Sequence, residues 1–194
     1  MSGKQAKVLL ADQIDDLLCF ASLTRHPARN RLIVLLSFKA GLRAGEIANL
    51  SWDMVLAPTG EIGSVIELRN SAAKKGSGRM IPMHGDLQAA LLTWQRLRPP
   101  SDWKGPVIKS ERGGPMTPTS IVNWFATAYR VVGLEGCSSH SGRRTFITRA
   151  ARLVHEAGGS LRDVQLLAGH RAITTTQRYI DGDTDAQRKL VSLL

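Results

Sequence analysis

One of the two tyrosines in the chain, Tyr179, lies nine positions after His170 in a run of small and polar residues. A phenol oxygen can attack phosphorus when a base takes its proton and cations neutralise the phosphate oxygens. Taken alone, a tyrosine in such a stretch is more often the structural residue that ends an amphipathic helix. The phosphate chemistry therefore depends on whether the rest of the chain supplies cations and a base.

Two other short segments contain the required groups. Arg43 follows a Gly-Leu pair, and Glu46 lies three residues later, where it can fix the backbone or the guanidinium. His140 and Arg143 are also three residues apart, so on a helix they share a face and can converge on one phosphate. Arginine suits this role because its planar guanidinium donates two hydrogen bonds and stays charged. With Tyr179, these residues could cleave a phosphodiester without a metal ion.

The composition indicates an intracellular protein whose partner carries many negative charges. Lys and Arg number 26 against 16 Asp and Glu, a net charge of +10, which favours nucleic acid. No apolar run approaches the roughly 20 residues of a membrane span, and the N-terminus lacks the apolar core of a secretory signal. Cys19 and Cys137 are far apart, which argues against a disulfide scaffold and a zinc site. We therefore expect a cytoplasmic protein.

The hydrophobic pattern predicts a mainly helical α+β fold with a small antiparallel β-hairpin at its edge. The apolar run 32–36 predicts a buried central helix over residues 28–40 that ends at Gly41. Residues 65–68 and 80–83 predict two strands joined by a polar, glycine-containing loop. The other predicted helices span 10–23, 44–50, 86–97, 117–132, 163–167 and 174–180, together with one that is capped by Ser138 or Ser139 and runs to 156. Asp12 is the predicted cap of the first, and a capping box that starts at Ser160 precedes 163–167. The last of these helices includes Tyr179.

In order along the chain, the chemical segments resemble the signature of the tyrosine recombinases, also called the phage integrase family. That signature reads Gly-Leu-Arg-x-x-Glu, a hairpin lysine, His-x-x-Arg, and Gly-His followed nine residues later by tyrosine. The resemblance covers about residues 10–180, and Leu-Ser-Trp-Asp at 50–53 and Thr-Phe at 145–146 agree with it. Each segment alone is common by chance, but their order and spacing together are specific.

The resemblance implies covalent cleavage of DNA. Arg43, Arg143 and His170 would bind the scissile phosphate. Tyr179 would attack it to give a 3′-phosphotyrosine and a free 5′-hydroxyl, with His140 as the assisting base. Because one phosphodiester is exchanged for another at nearly equal energy, neither a cofactor nor a metal is implied.

The resemblance also implies a lysine that protonates the departing 5′ oxygen. Family hairpins place it eight positions before the proline that closes the second strand, which selects Lys74 relative to Pro82, while the adjacent Lys75 stays an alternative. Further basic residues are expected to contact the DNA backbone. These are Lys75, Arg79, Arg144, Arg171 and Arg178.

The His-x-x-Arg segment departs from the family at Ser141 and Gly142, where Asp-Leu is common. A flexible glycine near the helix start is expected to loosen the hold on Arg143. The interval from Arg143 to His170 is also longer than usual, with the pair of glycines at 158–159 as the expected position of extra loop.

The resemblance further implies how the molecule is organised. We expect residues 1–194 to form a single catalytic domain without the N-terminal domain that clamps DNA in many members. We expect double-stranded DNA with paired half-sites as the partner, a homotetramer on DNA and a monomer without it, accessory DNA-bending proteins, and association with the nucleoid. The tail 181–194 ends in apolar residues that could dock on a neighbouring protomer or on its own.

The expected function is site-specific recombination leading to integration, excision or inversion. Two alternatives share parts of this signature: a type IB topoisomerase uses the same phosphotyrosine chemistry, and an inactive member of the fold would regulate by binding DNA.

Overall fold

The computed structural model describes residues 6–73, 76–179 and 191–192. It is a mainly helical α+β fold with a two-stranded antiparallel sheet, as predicted. The strands pair from Val65 with Pro82 to Leu68 with Arg79. The elements are α1 (Ala11–Ser22), α2 (Pro27–Lys39), α3 (Ala44–Ala48), β1 (Val65–Leu68), β2 (Arg79–Pro82), α4 (Gly85–Arg96), α5 (Pro118–Val131), α6 (Ser141–Leu153), α7 (Leu161–Ala168) and α8 (Ile173–Gln177).

Helix α2 lies at the centre of the fold, as its continuous apolar run predicts. Every residue from Leu32 to Phe38 is buried, and α1, α3, α4 and α6 pack around it. The chain turns after α2 at Gly41, whose φ of 62° lies in the left-handed region that favours glycine. A Cβ at Gly41 would lie 2.4 Å from Cδ1 of Phe146, so glycine also lets α6 approach the end of α2.

Gly142 is a second point of close contact between α6 and α2. A Cβ on Gly142 would lie 2.2 Å from Oγ and 2.9 Å from Cβ of Ser37, so only glycine fits against this side of α2. Arg143, the next residue, is buried and well anchored. The expected loosening of Arg143 by Gly142 is therefore not found, because the glycine allows tighter packing.

The buried apolar residues form two clusters. The larger cluster runs through α1 to α5 and the sheet, and it includes Tyr129, the other tyrosine of the chain. The smaller cluster is built by α6 and α7, and Tyr179 packs against it as a partly buried residue. Its buried members are Ile147, Ala151, Val154, Val164 and Ala168.

The ends of α1 and α8 differ from the prediction. Helix α1 begins after Leu10, whose N–H donates to the side-chain oxygen of Gln13 at 3.0 Å, so Asp12 lies in the first turn and is not the cap. Helix α8 ends two residues before Tyr179, whose N–H still donates to the carbonyl oxygen of Thr176 at 3.0 Å.

The start of α6 also differs, whereas the start of α7 is confirmed. Helix α6 begins at Ser141 with His140 as the preceding residue, so neither Ser138 nor Ser139 caps it. Helix α7 has the predicted capping box, in which the N–H of Ser160 donates to Oδ2 of Asp163 at 2.8 Å.

Some predicted features lie outside the described residues. Lys74 and Lys75, the two candidates for the proton donor, are among them. Most of the tail, at 181–190 and 193–194, also lies outside the described residues.

The contact between α6 and α2 predicts a specific sensitivity to volume. Gly142→Ala should lower the free energy of unfolding by about 1–3 kcal/mol, because the added methyl overlaps Ser37. Adding Ser37→Ala should restore part of the loss by removing the nearest atom. Urea denaturation monitored by circular dichroism measures both effects.

Gly45→Ala is the matched control, since a Cβ there meets nothing within 4 Å. It should be neutral or stabilising by up to about 1 kcal/mol. Equal losses for Gly142→Ala and Gly45→Ala would contradict the packing explanation.

Candidate active site

A buried carboxylate organises the region around Arg43. Glu46, which is 1% exposed, lies in the first turn of α3 and reaches back to the residue that precedes the helix. Its Oε2 accepts the backbone N–H of Arg43 at 3.0 Å, and its Oε1 accepts Nη1 of Arg43 at 2.6 Å. Glu46 thus contacts both the backbone N–H and the guanidinium of Arg43, which the sequence left as alternatives.

The same carboxylate holds a second arginine and lies near a third. Nη1 and Nη2 of Arg79 donate to the two oxygens of Glu46 at 3.2 and 3.0 Å, and Nη1 of Arg143 lies 4.0 Å from Oε2. Burial alone would raise the pKa of Glu46, but the hydrogen bonds and charges of Arg79 and Arg43 outweigh burial and lower that pKa. The carboxylate is therefore ionised and offsets repulsion among three guanidinium groups.

Arg143 connects the ends of α2 and α7. Its Nη1 donates to the carbonyl oxygen of Gly41 at 2.7 Å, and its Nη2 donates to the carbonyl oxygen of Ala168 at 2.5 Å. Burial, with the nearby charge of Arg43, lowers the pKa of Arg143 to about 10, so the side chain stays charged at neutral pH. A charged group held in this way is preorganised to bind an anion.

His170 is held as a neutral imidazole. Its Nε2 lies 3.2 Å from Nη2 of Arg143, which can only donate, so Nε2 is the acceptor. The proton is then on Nδ1, which donates to Oγ1 of Thr176 at 3.0 Å. Burial and the positive charges of Arg143, Arg43 and Arg79 lower the pKa of His170 to about 4.

Tyr179 lies beside this histidine. The two rings stack with centroids 5.4 Å apart and planes inclined by 25°, and the guanidinium carbon of Arg144 lies 5.6 Å from the centre of the Tyr179 ring. The side chain of Thr148 donates to the carbonyl oxygen of Tyr179 at 3.4 Å, which fixes the backbone after α8 to α6. The other phenol, on Tyr129, is buried in the larger cluster, and burial raises its pKa.

These residues surround one cavity of about 470 Å³. It contains Tyr179 and the other predicted catalytic residues that the structure describes, together with two of the expected DNA contacts. The lining is Ala6, Arg43, Ser138, His140, Arg143, Arg144, His170, Thr175, Arg178 and Tyr179. Four positive side chains, two imidazoles and a phenol thus share a space large enough for a phosphodiester.

Arg79 and Arg171 lie elsewhere. The side chain of Arg79 is 5% exposed and is bound to Glu46 and to the carbonyl oxygen of Leu167, so the expected DNA contact by Arg79 does not fit its burial. Arg171 is exposed and lies outside the main cavity, on the wall of a neighbouring one.

Two supporting residues were missed by the sequence reasoning. Buried Gln165 donates to the carbonyl oxygens of His170 and Arg171 at 2.9 and 3.3 Å, which fixes the loop after α7. The side-chain oxygen of Thr176 accepts the Nδ1 hydrogen of His170 at 3.0 Å and so orients the ring. Nothing in the spacing of either residue distinguishes it from an ordinary helical polar residue.

Nearly the whole length of the chain matches one known protein family. A model of the phage integrase family matches residues 7–185. The chain belongs to the phage integrase family.

The relatives within this family include recombinases from several bacteria. Tyrosine recombinase XerC of Methylobacterium nodulans is 31% identical over 159 residues, and XerC of Rhizobium meliloti is 30% identical over 169 residues. The alignments cover 81% and 84% of this chain but 46% and 50% of those proteins. The chain therefore spans about half the length of the relatives it matches.

Solved structures share the phage integrase fold. The crystal structure of XerA recombinase has a TM-score of 0.74 at 24% identity, covering 98% of this chain and 65% of that one. The Tn1549 transposon integrase in complex with a circular intermediate DNA has a TM-score of 0.76 at 20% identity, covering 100% and 67%. A lambda integrase tetramer bound to a Holliday junction has a TM-score of 0.68 at 21% identity, covering 92% and 49%.

Two other findings concern the described ranges only. No helix there is both long and apolar enough to cross a membrane. The same ranges contain no group of three or more His, Cys, Asp and Glu side chains that could hold a metal ion.

The neutral His170 predicts a pH dependence of stability. Between about pH 4 and its ordinary pKa of 6.5, this histidine is protonated in the unfolded chain but not in the folded one. Lowering the pH through this window therefore favours unfolding. We expect the free energy of unfolding from urea titrations to fall more steeply over this range in the wild type than in His170→Gln.

His155→Gln, at an exposed histidine outside the cavity, is the control and should follow the wild type. Identical slopes for the wild type and His170→Gln would contradict the assignment of a neutral, half-buried imidazole.

Glu46 predicts a second effect on stability. Glu46→Gln should cost about 3–5 kcal/mol, because it leaves buried arginines without their counter-charge. Glu61→Gln changes an exposed carboxylate and should cost little. Thermal and urea unfolding of both variants measure the difference. A similar small cost for both would show that Glu46 does not stabilise the cluster of arginines around it.

Proposed function

We propose that the chain is a site-specific DNA recombinase that cuts and rejoins DNA through a 3′-phosphotyrosine intermediate. The cavity that unites Tyr179 with Arg43, Arg143, His140 and His170 carries this proposal. Membership of the phage integrase family supports the same chemistry. The net charge of +10 favours DNA as the partner.

The cavity suggests how cleavage proceeds. A phosphodiester there accepts hydrogen bonds from Arg43 and Arg143, and the phenol oxygen of Tyr179 attacks phosphorus in line with the 5′ oxygen. His140 takes the phenolic proton as the new phosphorus–oxygen bond forms and the bond to the 5′ oxygen breaks. Lys74, with Lys75 as the alternative, gives a proton to the departing oxygen. Rejoining is the reverse attack of a 5′-hydroxyl on the phosphotyrosine.

His170 changes partner in this scheme. Without DNA its Nε2 accepts from Arg143, which holds the imidazole neutral. A bound phosphate competes for the hydrogens of Arg143, and its negative charge raises the pKa of His170. His170 then takes up a proton and donates to a phosphate oxygen, so DNA binding and proton uptake are coupled.

The arrangement on DNA follows the same proposal. Double-stranded DNA with paired half-sites is bound by four protomers, whereas the protein without DNA is a monomer, and accessory DNA-bending proteins bring the sites together on the nucleoid. The DNA-bound tetramer of lambda integrase is the neighbour that supports this assembly. The chain acts as a catalytic domain, with Arg144, Arg178, Arg171 and Lys75 in contact with the backbone.

Covalent capture of DNA tests the proposal directly. The full chain is incubated with a pool of end-labelled duplexes that carry a nick within a randomised region, so that the cleaved fragment diffuses away and the adduct accumulates. We expect labelled protein that survives denaturation, and its amplified DNA identifies the preferred duplex. Tyr179→Phe should give no adduct because the nucleophile is missing.

Tyr129→Phe is the matched control, since this phenol is buried in the larger cluster, and it should retain the adduct. No adduct from the wild type with any duplex in the pool would refute the enzymatic proposal. An adduct that persists in Tyr179→Phe would refute only the assignment of the nucleophile. Relaxation of supercoiled plasmid without sequence preference would indicate topoisomerase activity instead.

A further inference from the structure

We propose that Arg79 is a positioning residue that fixes the lysine-bearing hairpin against the phosphate-binding pocket, rather than a contact to DNA. The inference rests on the proposed cleavage chemistry and assigns a role to a residue outside the catalytic set. Arg79 is the first residue of β2 and pairs with Leu68 of β1, so the orientation of its side chain and that of the hairpin are linked.

The side chain of Arg79 joins three parts of the fold. Its two terminal nitrogens donate to the carboxylate of Glu46, which also binds Arg43. Its Nε donates to the carbonyl oxygen of Leu167 in α7 at 2.7 Å. The hairpin is thereby fixed to the arginine before α3 and to the helix that precedes His170.

The stem of Arg79 lies against the loop that follows α7. A Cβ on Gly169 would lie 2.9 Å from Cδ and 3.1 Å from Nη1 of Arg79, so the stem of the arginine passes directly over the residue before His170. The left-handed φ of 64° at Gly169 also favours glycine. Arg79 therefore touches the loop that carries one phosphate-binding residue and the carboxylate that holds another.

Arginine is suited to this position for a geometric reason. Its planar guanidinium can donate in parallel to both oxygens of Glu46 while Nε donates in a third direction to Leu167. A lysine has one nitrogen and cannot make this set of bonds. Buried ion pairs are weak contributors to stability, so the arrangement is better explained by the geometry that it imposes.

The distance along the chain connects this anchor to the proton donor. Lys74 and Lys75 precede Arg79 by five and four residues. Both lysines therefore belong to the segment of chain that joins β1 to β2, and Arg79 is the first residue of β2 after that segment. Because a misplacement of about 1 Å can cost roughly 100-fold in rate, loss of the anchor should impair proton donation to the 5′ oxygen.

The leaving group distinguishes this role from general support of the site. In a duplex with a 5′-bridging phosphorothiolate, Tyr179 attacks phosphorus, the phosphorus–sulfur bond breaks, and the thiolate leaves without needing a proton. We expect Arg79→Met and Arg79→Lys to slow adduct formation roughly 100-fold on the ordinary nicked duplex selected above. On the same duplex with the phosphorothiolate, both should stay within about threefold of the wild type.

Reference variants define the two possible patterns. Lys74→Ala and Lys75→Ala are both tested. The variant that lacks the proton-donating lysine should form the adduct slowly on the ordinary duplex and at close to the wild-type rate on the phosphorothiolate duplex. Arg171→Met, at an exposed arginine, should weaken binding to both duplexes equally and reduce the salt dependence of binding. DNA affinity of the Arg79 variants should remain within about twofold of the wild type, because Arg79 does not reach the DNA.

Each outcome bears on the proposal. Equal loss of rate on both duplexes, or reduced affinity with a smaller salt slope, would overturn it in favour of general support or DNA contact. Failure of both Arg79 variants to fold, measured by circular dichroism, would overturn it in favour of a folding role. If the wild type forms no adduct on either duplex, the proposed function fails instead.

Discussion

The site depends on one buried negative charge. Arg43, Arg79 and Arg143 approach one another closely enough that their guanidinium groups would repel in a medium of low polarity. The carboxylate of Glu46 binds two of them and lies 4.0 Å from the third, so the positive cluster exists in the folded chain before any phosphate arrives. An anion that enters the cavity then meets donors whose positions are already set, and little reorganisation is needed.

The neutral state of His170 is a consequence of the same arrangement. Burial and the surrounding positive charges disfavour a second proton on this imidazole, and the hydrogen bond from Arg143 to Nε2 places the first proton on Nδ1. Backbone carbonyls complete the arrangement, because the oxygens of Gly41 and Ala168 hold Arg143 from two directions. The site is thus assembled from the ends of helices, where carbonyl oxygens lack partners within their own helix.

The sequence predicted the chemical groups more accurately than their surroundings. The fold class, the buried central helix and the hairpin follow from hydrophobic periodicity, and the capping box at Ser160 follows from local hydrogen bonding. The ordered segments also predicted which side chains share a cavity, except the lysines, which lie outside the described residues. Distances between α6 and α2 were not predictable, because the fit of Gly142 against Ser37 depends on packing between segments about a hundred residues apart.

The smaller hydrophobic cluster has a bearing on dynamics. Tyr179 packs on α6 and α7, whose shared cluster has few members compared with the one around α2. A small cooperative unit opens at a lower free energy than the whole molecule. Amides in α7 should therefore exchange with solvent deuterium sooner than those in α2. The contact between the rings of Tyr179 and His170 therefore depends on the smaller of the two hydrophobic clusters.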